Sequence, residues 1–117
     1  MKLLVKIRGD VGATVAGCSL GAATAMRAGA DRRFSIGGGT AGWVTFADGE
    51  QRARLEWEMR VGDVCMGIYG ERCFWTAPVE RAMTRDEVRT VVTQLASALR
   101  GAVELAFSDG FEVFRPG

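Results

Sequence analysis

Glu56 and Glu58, two residues apart, are the carboxylates whose spacing could divide acid and base roles between them. Such a pair works only when its surroundings push the two pKa values apart. Arg52, Arg54 and Arg72 share the neighbourhood, and a ladder of salt bridges explains the pair better than catalysis. Asp86 and Glu87 form a second acidic pair, but they sit where a helix begins and suit its positive end. The chain has no histidine. Imidazole acid–base catalysis, His metal ligation and His-activated nucleophiles are therefore excluded. Of the three cysteines, Cys18, Cys65 and Cys73, the pair Cys65 and Cys73 fits no zinc pattern. A reactive thiolate would need an electropositive setting; Cys65 has arginines on its face, but plain burial or exposure accounts for it. Gly12, Gly17 and Gly21, and the run Gly37-Gly38-Gly39, match neither the dinucleotide fingerprint nor the P-loop. A backbone anion nest at the triple glycine has no lysine following closely. The residues thus give no catalytic, cofactor or metal site; an enzyme remains possible, and nothing in them names one.

The elements that carry these residues fit one domain spanning 1–117, long enough to bury a core without a disulfide or metal. The formal charge of +1 speaks against nucleic-acid and membrane-surface partners, which usually meet a basic excess. An odd number of cysteines reads as reduced thiols in a cytoplasmic protein. Val15-Ala16-Gly17-Cys18 looks like a lipobox, but Lys6, Arg8 and Asp10 interrupt the apolar run that a signal requires.

Along the chain, Lys2 to Arg8 alternates as a strand. Ala22 to Ala28 holds good helix formers, with Ser19 as a possible N-cap and Gly29 at C′; a partly irregular segment is the alternative. Arg33 to Ile36 is a short strand broken by the triple glycine. Trp43 to Thr76 then reads as a four-strand β-meander. Asp48-Gly49 is a two-residue hairpin turn setting Ala47 opposite Glu50. Arg60 to Asp63 turns next, with Met59 opposite Val64, and Gly70-Glu71 makes the third turn. Side-chain alternation collects Val44, Phe46, Ala53, Leu55, Trp57, Met59, Met66, Ile68, Cys73 and Trp75 on one face. After Pro78, Thr84-Arg85-Asp86-Glu87 is a capping box. The helix it opens runs to about Arg100, with Gly101 at C′ and an apolar stripe of Val88, Val91, Val92, Leu95 and Leu99. Val103 to Phe107 is a strand turning at Ser108-Asp109-Gly110, with Phe107 opposite Phe111. The expected fold class is α+β: an antiparallel β-meander, one long amphipathic helix on its inner face, and a C-terminal β-hairpin.

The outer face of that meander carries Trp43, Tyr69 and Phe74 among Arg52, Arg54, Arg72, Glu56 and Glu58. A solvated face with cross-strand ion pairs is the plain reading. Aromatic residues and arginine are also the types enriched at interface hot spots, so these eight residues are the candidate partner-binding set.

The order of elements resembles a known family. A strand runs into the triple glycine, and Trp43-Val44-Thr45-Phe46-Ala47-Asp48-Gly49 leads into a hairpin. Pro78 follows, then the helix start Met83-Thr84-Arg85-Asp86-Glu87-Val88, then Gly101 and the Val103-Glu104-Leu105 strand. This pattern, over roughly 34–107, is similar to small bacterial immunity proteins of polymorphic toxin systems, most of all immunity protein family 1. Ala102 after Gly101, and Leu105 or Phe107 in the next strand, stand where that family tends to carry Gly, Pro and Trp. The resemblance implies a cytoplasmic, non-enzymatic inhibitor that blocks the active-site mouth of a cognate toxin domain. Toxins of such systems include nucleobase deaminases and nucleases, and the near-neutral charge tilts toward a deaminase. It implies no cofactor, and a free chain that is a monomer rather than a dimer. Two alternatives remain: a small-ligand or enzymatic domain using the Gly-rich loops, and a homodimeric structural subunit.

Overall fold

The computed structural model describes residues 23–27 and 31–117. Its elements are β1 (Ala23–Arg27), β2 (Arg32–Gly38), β3 (Ala41–Asp48), β4 (Gln51–Met59), β5 (Val64–Ala77), β6 (Arg81–Ala82), α1 (Arg85–Leu99), β7 (Ala102–Phe107) and β8 (Gly110–Phe114). All strands join one sheet in the order β1-β2-β3-β4-β5-β7-β8, with β6 also beside β5. The fold is α+β, with a mixed sheet and one helix among the described residues. The Lys2–Arg8 strand, the lipobox-like stretch, Ser19 and Gly29 lie outside those residues.

The expected helix over Ala22–Ala28 is corrected: Ala23–Arg27 is a strand, paired from Ala23↔Gly37 to Arg27↔Arg33. Helix propensity among small residues is worth tenths of a kcal/mol per position, and a neighbouring strand edge outweighs it. The triple glycine makes the β2–β3 hairpin. Gly38 has φ +100°, and a Cβ on Gly42 would stand 2.3 Å from the Gly37 carbonyl oxygen. Two backbones pass there at a distance only glycine permits. The Trp57 indole N–H donates to the Gly37 carbonyl at 3.0 Å, fixing the hairpin to β4.

Between β3 and β4 the turn is Gly49-Glu50, with Asp48↔Gln51 and Phe46↔Ala53. The expected pairing of Ala47 with Glu50 is displaced by two residues, to Ala47↔Arg52. A displacement of two keeps every side chain on its face, so the apolar face survives the error. β4 meets β5 as Met59↔Met66, Trp57↔Ile68, Leu55↔Cys73 and Ala53↔Trp75. Met59 therefore does not face Val64.

The third turn at Gly70-Glu71 does not exist, because β5 runs unbroken from Val64 to Ala77. Its ladder instead shifts register between Leu55 and Trp57, so that Glu56 faces the whole stretch from Tyr69 to Arg72. This bulge switches alternation along the strand. Met66 and Ile68 point inward before it, Cys73 and Trp75 after it, and all four are buried. The inward set was expected; a bulge, not a turn, produces it.

Beyond the cis Ala77-Pro78 peptide, Thr84 caps α1 as a full capping box: its side chain accepts from Glu87 N–H, and the Glu87 carboxylate accepts from Thr84 N–H. At the other end the left-handed residue is Arg100, φ 56°, and not Gly101. Gly101 N–H instead donates to the Ala96 carbonyl. Val88, Val91, Val92, Leu95 and Ala96 of α1 lie buried in one core cluster with Phe34, Val44, Leu55, Trp57, Met66 and Ile68 of the sheet, and Leu99 packs at its margin.

The C-terminal hairpin is not a separate unit. β7 pairs in parallel with β5, Ile68↔Leu105 and Tyr69↔Ala106, which makes the sheet mixed. A parallel neighbour needs a long crossover, and α1 supplies it. The hairpin turn is Ser108-Asp109, with Phe107↔Gly110 and Leu105↔Glu112. The expected pairing of Phe107 with Phe111 is off by one.

Candidate functional site

The outer face of β3, β4 and β5 carries the eight candidate residues in two groups. The first centres on Tyr69, whose hydroxyl donates to Glu58. The Arg60 guanidinium lies 5.9 Å from the Tyr69 ring centre and that of Arg72 lies 5.7 Å away. Arg60 pairs with Glu58 at 2.8 Å and reaches Glu104 of β7 at 3.9 Å. Arg72 pairs with Glu56 at 3.1 Å. The hydrogen bond to Glu58, then burial, then the Glu58 charge raise the Tyr69 pKa above its ordinary value. Each carboxylate here is held by a cation, so Glu56 and Glu58 form a ladder and not a split acid–base pair.

The second group is differently built. Thr45↔Arg54 and Trp43↔Glu56 are adjacent cross-strand pairs, which makes Trp43 and Arg54 diagonal neighbours. The Arg54 guanidinium stacks over the Trp43 ring at 4.2 Å. Phe74 stands directly across from Arg54 and is 42% exposed. β6 borders Phe74 on the other side, Phe74↔Ala82. Together they border a cavity of about 470 Å³ whose lining also includes Trp75, Thr76, Glu80 and Arg81. Arg52, the eighth residue, turns away and donates to the Gly49 carbonyl at 2.6 Å.

Sequence reasoning placed all eight residues on one face but missed Arg60, Glu104, Glu80 and Ala82. Arg60 was assigned to a turn. It lies over Gly67, whose hypothetical Cβ would be 2.5 Å from the guanidinium carbon; a glycine directly opposite an arginine's reach was the available signal. Glu104, Glu80 and Ala82 arrive only through the places of β7 and β6 beside β5, which no local pattern encodes.

The cysteines divide. Cys73 is a buried free thiol, and burial pushes its pKa up to about 12, so it is no nucleophile at neutral pH. The reduced-thiol expectation is corrected at Cys65, which is disulfide-bonded and 5% exposed. Cys73 is free, so the bond does not join the two.

Among the described residues no three His, Cys, Asp or Glu side chains gather as a metal site, and no helix is long and apolar enough to cross a membrane. Gln94 Oε1 is buried without a hydrogen-bond partner among the described residues, beside a smaller cavity of about 320 Å³. Comparison with protein-family models, with curated proteins and with solved structures finds no match to this chain.

Proposed function

We propose that this domain is an immunity-type inhibitor that binds a cognate toxin domain through the outer sheet face and blocks its active site. In this reading α1 closes the inner face of the sheet, and the outer face is kept for a partner. The observation that carries the proposal is the second group: an exposed Phe74 beside a stacked Trp43–Arg54 pair, bordering a concave surface. Desolvated aromatic and arginine anchors of this kind dominate binding energy at interfaces. The ordered ion pairs around Tyr69 suit the surrounding rim, where charges set specificity and encounter rate more than affinity. The resemblance to immunity proteins supplies the class of partner, and inhibition is steric, with no catalytic step.

The test is binding to the toxin domain encoded beside this gene, measured by calorimetry for the wild type and for a Trp43→Ala, Tyr69→Ala, Phe74→Ala triple variant. Loss of affinity by roughly a hundredfold or more is expected for three hot-spot truncations. Unchanged affinity in a folded triple variant would refute the placement of the interface.

A further inference from the structure

The arginines of the outer face differ in what already occupies them. Arg60 and Arg72 meet carboxylates, Arg81 is held by both oxygens of Glu87 at 3.0 and 2.8 Å, and Arg52 donates to carbonyls. Arg54 meets neither a carboxylate nor a carbonyl among the described residues. Among the described residues its guanidinium instead stacks on the Trp43 ring at 4.2 Å. Stacking of this kind orients a guanidinium while leaving its in-plane N–H donors unspent. Those donors form a rigid fork matched to a carboxylate.

From this we infer that the cavity bounded by Trp43, Arg54 and Phe74 receives a protein segment presenting an Asp or Glu carboxylate next to an apolar side chain. The inference rests on the partner-binding reading and names the chemistry of the anchor. The Arg54 fork takes the carboxylate in two parallel hydrogen bonds. The apolar side chain covers Phe74, whose exposure would otherwise persist on that face. The volume of about 470 Å³ falls within the range of sites that enclose a small ligand, and so has room for one or two side chains. A bound carboxylate also gives Arg54 the ion pair that it lacks among the described residues. Glu80, which directly precedes β6, also lines the cavity; its charge repels an acidic group from the β6 side, so the carboxylate seats at the Trp43 end.

A random-peptide phage library panned on the immobilised full chain tests this directly. Wild type is expected to enrich peptides with Asp or Glu adjacent to an aromatic or aliphatic residue. Arg54→Gln is expected to lose that enrichment, with selected peptides binding it at least tenfold more weakly by fluorescence titration. Arg54→Lys, which keeps the charge and loses the fork, falls between. Glu80→Gln tightens binding of the acidic peptides. Arg54 is exposed, so an unchanged melting temperature verifies that each variant is folded. No enrichment, enrichment of basic or purely apolar peptides, or acidic peptides indifferent to Arg54→Gln would each overturn the inference. Acidic peptides selected through Arg54, with the neighbouring toxin left unbound, would remove the toxin reading and keep this one. Toxin binding lost in the triple aromatic variant yet unaffected by Arg54→Gln would do the reverse.

Discussion

Removing the Glu87 side chain tests whether one carboxylate joins the helix start to the end of β5. Glu87 Oε1 accepts from Trp75 Nε1 at 3.1 Å, from Arg81 Nη1 at 3.0 Å and from Thr84 N at 2.9 Å, while Oε2 accepts from Arg81 Nη2 at 2.8 Å. Glu87→Ala leaves the indole N–H of the largely buried Trp75 unpaired, which costs about 1–2 kcal/mol. Loss of the reciprocal half of the capping box costs about 0.5–1 kcal/mol. The ion pair with Arg81 is half exposed, and solvent screening leaves it a minor part of the loss. The expected loss is about 2–3 kcal/mol by urea unfolding, with an unchanged m-value. Glu87→Gln retains an oxygen for Trp75 and Thr84 but turns an amide toward Arg81, so it should cost about 1 kcal/mol.

pH gives an independent arm to the same test. Arg81 first, then the Thr84 N–H and the Trp75 indole, hold the Glu87 carboxyl well below the usual carboxylate range. A lowered folded-state pKa contributes stability that is present above the unfolded value, about 4.3, and is lost as pH falls toward the folded value. The gap between wild type and Glu87→Gln should therefore hold from pH 7 to about pH 5 and narrow below about pH 4. A Glu87→Ala loss under about 0.5 kcal/mol, or a gap that does not change with pH, would refute the reasoning.

Three further outcomes are expected. Gly42→Ala, whose new methyl would meet the Gly37 carbonyl oxygen at 2.3 Å, should destabilise the fold by about 2 kcal/mol or more, whereas Gly39→Ala meets nothing within 4 Å and should stay within about 0.5 kcal/mol of wild type by thermal melting. Leu95→Ala removes a fully buried side chain of α1 and should cost about 2–5 kcal/mol in urea titration. Iodoacetamide at pH 8 should leave Cys73 unmodified in the native chain, modify Cys73 but not Cys65 in denaturant without reductant, and modify both once reductant is added, read by peptide mass spectrometry; rapid native labelling of Cys73 would contradict its burial.

The parts of the fold that were legible are those set by local periodicity. Two-residue alternation named the buried face of β3, β4 and β5 correctly: a displacement of two preserves faces between β3 and β4 and in the first half of β5, and the bulge returns Cys73 and Trp75 to that face in the second half. Thr84 and Glu87 announced the helix start through a hydrogen-bond exchange contained within four residues. Pairing between distant segments was not legible. Nothing in Ala23–Arg27 marks it as a strand except the edge of β2 that it meets. Gly70-Glu71 carries turn-like residues, and a bulge and a turn switch side-chain alternation in the same way. The candidate face was legible as a set of residue types. Its division into a satisfied half around Tyr69 and an unsatisfied half at Arg54 was not, because that depends on which cation reaches which carboxylate across strands.

The parallel seat of β7 also fixes an order of assembly. Strands β1 to β5 close by contacts between sequence neighbours, which form early in folding and during synthesis. The Met66–Tyr69 edge of β5 must wait until α1 and β7 have been made and have crossed back over the sheet. Until then the nascent chain presents an unpaired, apolar strand edge together with an uncovered inner face, the combination most prone to join another chain. A product ending before Ala102 is therefore expected to aggregate or be degraded and not to persist as a smaller folded domain, and completion of the last strands acts as the step that commits the polypeptide to its native state.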